Sequence, residues 1–124
     1  MGFLDGLMGN ASEVDKEKLS KELKHVLIND EIVESGYKVI RDSFIFTNKR
    51  LILVDKQGMT GKKVEYHSIP YKTITHFSTE TAGSFDLDSE LKIWLSGQSA
   101  PIEKLFKKDS PIEDVQRTLA QYVL

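Results

Sequence analysis

The sequence contains no cysteine. Disulfide staples and thiolate metal sites are therefore excluded, and a reducing compartment is compatible with the composition. No apolar run approaches the ~20 residues that a bilayer-spanning helix needs. Excess charge is scarce too: 17 basic and 19 acidic side chains leave a formal net charge of −2. That balance gives no sequence-wide attraction to nucleic acid or to anionic lipid, so no nucleic-acid partner is expected. The three histidines, His25, His67 and His76, form no zinc motif at helical spacing. His67 and His76 could meet across neighbouring strands, but a two-histidine pair without carboxylate support is a weak metal site. Neither a metal nor any other cofactor is expected. The stretch from Met1 to Gly9 has no basic n-region and no long apolar core, so it does not read as a secretory signal. Gly6 also stands where a myristoylation pattern requires Ser or Thr. These features together point to a cytoplasmic location.

What is present reads as one small domain preceded by a helix. At 124 residues the chain can bury a core without covalent staples. Phe3, Leu4, Leu7 and Met8 make the N-terminus apolar, although three glycines among the first nine residues oppose a stable isolated helix there. Ser12 to Leu27 reads as an amphipathic helix, with Leu19, Leu23, Val26 and Leu27 on one stripe. The organisation is thus an N-terminal segment and helix over 1–29 and a domain over 30–124.

From Glu31 the periodicity shortens to that of strands. Ser43 to Thr47 and Arg50 to Val54 are apolar runs joined by Asn48-Lys49. This is a hairpin pattern in which Asn48 can take positive φ. Ser35-Gly36-Tyr37 interrupts the preceding strand as a bulge or bend. Lys63 to Ile69 is a strand stopped by Pro70. Thr73 to Thr79 follows, then Glu90 to Leu95, where Leu91, Ile93 and Leu95 alternate with Glu90, Lys92 and Trp94. Ser96-Gly97-Gln98 is a turn and Pro101 to Lys107 the last strand. The total is about seven strands, the close spacing of a sandwich or barrel. Ser110-Pro111-Ile112-Glu113 is a full capping box. It opens a helix whose apolar stripe is Ile112, Val115, Leu119, Tyr122 and Val123.

Seven strands followed by one amphipathic helix is the order of the pleckstrin-homology fold. The segments Thr47-Asn48-Lys49-Arg50-Leu51-Ile52-Leu53-Val54-Asp55 and Ile69-Pro70-Tyr71-Lys72-Thr73-Ile74, with the terminal helix, resemble the bacterial pleckstrin-homology-like domains. The resemblance spans residues 30–124 and implies a mainly β fold. That fold is a partly open antiparallel barrel with one end plugged by the C-terminal helix. It also implies a tendency to form ring-like homo-oligomers. Phosphoinositide-binding members place converging basic residues across the first hairpin. Here Lys38 is followed by Arg41, with no basic residue two before Arg41 and with Asp42 directly after it.

Several constellations compete for function. Gly58 to Lys63 looks like a phosphate loop, but its glycines are too close and no Ser or Thr follows Lys62. Asp86, Asp88 and Glu90 lack the glycine and distal glutamate of an EF-hand loop, and suit a solvated strand edge. Lys38, Arg41, Lys49 and Arg50 form the best candidate basic patch, with Lys62 and Lys63. Lys38, Arg41, Lys62 and Lys63 are the candidate contacts for a ligand or lipid head group. Trp94 shares its strand side with Glu90 and Lys92. It is either an interface residue or part of a second apolar layer under the N-terminal helix. Phe3, Leu4, Leu7 and Trp94 are the candidate interface. No serine, histidine and acid set carries a nucleophile-elbow context, so no catalytic residue is assigned. The expected function is a non-catalytic assembly module, a homo-oligomer that could also hold another protein. The second reading is a peripheral binder of anionic lipid head groups through the basic loops.

Overall fold

The computed structural model describes residues 13–39, 42–57, 63–83, 85, 88–107 and 112–124. Phe3, Leu4, Leu7, Arg41, Gly58 to Lys62, Asp86 and the Ser110-Pro111 cap lie outside the described residues. The chain divides into two compact units, 1–69 and 70–124.

The first unit begins with helix α1 (Glu13–Glu22). Strands β1 (Val33–Val39), β2 (Asp42–Thr47), β3 (Arg50–Gln57) and β4 (Lys63–Pro70) follow, in sheet order β1-β2-β3-β4. The helix is shorter than the apolar stripe suggested. Beyond Glu22 the bonds become mixed: Lys24 N–H reaches the Lys21 carbonyl at 3.3 Å and Val26 N–H the Leu23 carbonyl at 2.7 Å, across three residues, while Leu27 N–H reaches the Leu23 carbonyl at 2.9 Å across four. Such three-residue turns commonly end a helix. Leu23, Val26 and Leu27 still reach the core, from a turn rather than from a helix face.

The runs in β2 and β3 are continuous rather than alternating because both sides of this sheet are buried. On one side Leu23 packs with Val33, Ile45, Ile52 and Val54, joined by half-buried Leu19, Val64 and Tyr66. On the other, Tyr37, Phe44, Phe46, Leu51 and Leu53 are buried, and the Tyr37 ring meets Phe46 edge-on at 6.0 Å. Ile45 sits opposite Ile52, and Phe44 opposite Leu53, so the register keeps each set on its own side. The bulge or bend expected at Ser35-Gly36-Tyr37 is not there: these residues pair in regular register with Phe46, Ile45 and Phe44, and the pairing with β2 slips just before them, between Val33 and Ser35.

The second unit holds a 3₁₀ turn (Tyr71–Thr73), strands β5 (Ile74–Glu80), β6 (Asp88–Leu95) and β7 (Ile102–Lys107), and helix α2 (Ile112–Val123). Its sheet order is β5-β6-β7, and both pairings are antiparallel. This sheet alternates cleanly. Leu91, Ile93 and Phe106 are buried, while Lys92 and Trp94 point to the other face. α2 buries Ile112, Val115, Thr118 and Leu119. Thr118 is polar, but its hydroxyl donates to the Asp114 carbonyl at 2.8 Å, so it enters the core without an orphaned group. α2 is joined to β5 where Thr79 Oγ1 donates to Gln116 Oε1 at 2.6 Å. It is joined to the 3₁₀ turn by Tyr71 stacked on Tyr122 at 4.5 Å.

Among the described residues, seven mostly antiparallel strands in two sheets with an N-terminal and a C-terminal helix are the fold class that the sequence implied. Gly97 has φ +82 in the β6–β7 turn, with nothing within 4 Å of an added Cβ. Gly97→Ala therefore strains only the backbone and costs about 1–2 kcal/mol. Leu119→Ala opens a cavity in a fully packed position and costs about 2–5 kcal/mol. Urea unfolding of both variants checks this ordering; equal losses would contradict it.

Candidate functional site

The tightest polar geometry lies at the β2–β3 hairpin. Arg50 opens β3, and its Nε and Nη2 donate to Glu31 Oε2 and Oε1 at 2.8 and 2.9 Å, a two-pronged pairing. Nη2 also donates to the Val26 carbonyl at 2.9 Å, and Nη1 to Ser68 Oγ at 2.6 Å. Glu31 Oε1 accepts the Ile28 N–H at 3.1 Å, and Oε2 accepts the Thr47 hydroxyl at 2.7 Å. The Thr47 oxygen in turn accepts the N–H groups of Lys49 and Arg50 at 3.1 and 3.0 Å. A hydroxyl has one proton to give, and the carboxylate is its stronger acceptor. Asn48 completes the clasp. Its Nδ2 donates to the Asp30 carbonyl at 2.9 Å and its Oδ1 accepts the Ile32 N–H at 2.7 Å.

Positive φ falls on Asp30 (φ 66), not on Asn48 as the hairpin pattern suggested. Asn48 uses its amide to hold the chain entering β1, and the reversal that delivers Glu31 occurs one residue before it. Arg50 accordingly leaves the candidate basic patch, because its donors are committed to Glu31, Val26 and Ser68. Hydrogen bonding from Arg50, assisted by Thr47 and the Ile28 N–H, outweighs burial and holds the Glu31 carboxyl at about 2. The same pairing raises the Arg50 guanidinium further.

The remaining basic candidates divide between the two ends of the four-stranded sheet. Lys38 pairs with Ser43 near the β1–β2 connection, and Lys63 opens β4. These two share one end, three strand spacings or roughly 14 Å apart. Exposed Lys56, near the end of β3, joins them; the sequence reading did not include it. Lys49 sits in the β2–β3 turn at the opposite end. Asp42 faces Asp55 at the lysine end, which offsets part of the positive charge there.

The outer face of the three-stranded sheet carries the other candidate. His76 pairs with Trp94, Ser78 with Lys92, and Glu80 with Glu90. On the far side Lys92 faces Glu103, and Glu90 faces Leu105. The His76 ring lies on Trp94 at 4.4 Å and 16° from parallel. The Thr75 hydroxyl lies 2.9 Å from His76 Nδ1 and 3.2 Å from the Trp94 carbonyl. Lys92 stands between Glu90 and Glu103 at 3.7 and 3.9 Å. Leu105, half exposed at 50%, adds apolar area to this charged surface. The layer under α1 is made instead by Val33, Ile45, Ile52, Val54, Val64 and Tyr66. His67 and His76 lie on β4 and β5, strands of different sheets. No group of three or more metal-ligating side chains occurs among the described residues.

The two sheets and the C-terminal helix match a pleckstrin-homology-like domain, and comparison with known proteins gives the family. A model of the bacterial PH domain matches residues 2–123; the chain belongs to the bacterial pleckstrin-homology-domain family. It is similar to the uncharacterised protein YjqA of Bacillus subtilis, 60% identical over 121 residues and 97% of each chain. YozO of the same organism is 36% identical over 110 residues, 89% of this chain and 94% of that one. Among solved structures, a pleckstrin-homology domain from Shewanella amazonensis SB2B superposes with a TM-score of 0.86 at 58% identity, covering 98% of both chains. A protein with a pleckstrin-homology domain from Shewanella loihica PV-4 gives 0.77 at 53% identity, covering 94% of this chain and 98% of that one. Domains of this class are in general non-catalytic binding modules. Among the described residues, no helix is long and apolar enough to cross a membrane.

The hairpin clasp makes a signed prediction about pH. The folded value of Glu31, about 2, lies below its ordinary 4.5, so the charged form favours the folded state. That stabilisation is complete above about 4.5 and is lost as the pH falls toward 2. Glu31→Gln is expected to lower stability by on the order of 3 kcal/mol at neutral pH. Urea midpoints measured from pH 7 downward should converge with those of the wild type as the pH drops below 4.5; a constant gap would contradict the pairing. Arg50→Lys, which keeps the charge but loses the fork, should recover less than half of the stability lost in Arg50→Ala.

Proposed function

We propose that the chain is a cytoplasmic, non-catalytic binding module that assembles with copies of itself through the outer face of its three-stranded sheet. The carrying observation is the His76–Trp94 stack, a half-buried indole held on a strand face that also presents half-exposed Leu105. Tryptophan is among the side chains that dominate binding energy when an interface dries it. The stack restricts the indole before any partner arrives, so less rotamer freedom is lost on association. The surrounding Glu80, Glu90, Lys92 and Glu103 provide the polar rim. Among the described residues β7 is the end strand of the order β5-β6-β7, and Leu105 lies on it.

The head-group reading has less behind it. Lys38, Lys56 and Lys63 share one sheet end, but Asp42 and Asp55 sit together at that end. A densely charged phosphate cluster requires several converging cations, and Lys38 and Lys63 belong to the two outer strands of the sheet.

Light scattering coupled to size exclusion, at micromolar concentration, tests the proposal. The wild type should elute as a multimer. Trp94→Asp should shift it to the monomer mass with the backbone signal in the far-ultraviolet circular dichroism retained, because the face it alters lies outside the core. A wild type that is monomeric throughout, or a Trp94→Asp variant that keeps the wild-type mass, would overturn the assignment.

A further inference from the structure

No further inference is drawn: the strongest candidate, the groove of about 680 Å³ between α1 and β1 lined by Lys16, Ser20, Lys21, Ile32 and Glu34, carries nothing because no feature of the structure shows what covers it.

Discussion

The pairing of Glu31 with Arg50 fixes the geometry of the first unit. Before β1, the chain must reverse from the end of α1 and present its backbone to the sheet. Glu31 and Arg50 are nineteen positions apart in sequence and meet only if that reversal is complete. Their contact then satisfies the Val26 carbonyl, the Ile28 N–H and the Thr47 hydroxyl together. Burying a carboxylate is costly unless its oxygens are filled, and here four donors fill both of them. The clasp lies at the rim of the packing formed by Leu23, Val33, Ile45, Ile52 and Val54. It therefore sets where the turn after α1 meets the sheet.

Helix α1 has a small apolar share: Leu19 alone within Lys16–Glu22 is packed against the core cluster. Its position depends more on the following turn, through Leu23, Val26 and Leu27, than on its own face. α2 differs. It buries four side chains along one stripe and adds the Tyr71–Tyr122 stack. The two helices thus have different means of attachment, a polar clasp near one and an apolar ridge on the other. The polar clasp is sensitive to the charge of Glu31, and the ridge is not.

Much of the fold was legible because its signals are local. The Asn48-Lys49 connection between two apolar runs marked the hairpin, Gly97 marked the β6–β7 turn, and alternation over Glu90–Leu95 separated inner from outer residues. The α1 boundary was misread because Val26 and Leu27 keep helical spacing while lying in a turn. Thr118 escaped notice because burial of its hydroxyl depends on a bond to Asp114, which apolar periodicity does not register. The clasp was illegible for a different reason: spacing along the chain cannot reveal that Arg50 and Glu31 meet. Arg50 therefore read as one more surface cation. The same limit separated His76 from Trp94, whose stacking follows from the β5–β6 register. For the candidate site, sequence located the tryptophan and its charged neighbours but not the histidine that holds it.

The chain has a single tryptophan, so indole emission reports on the proposed contact face alone. Emission measured across a dilution series tests the central claim most directly. Assembly through the outer sheet face predicts a blue shift and reduced acrylamide quenching as concentration rises, in step with the mass from light scattering. A rising mass with unchanged Trp94 emission and quenching would place the contact elsewhere and contradict the account.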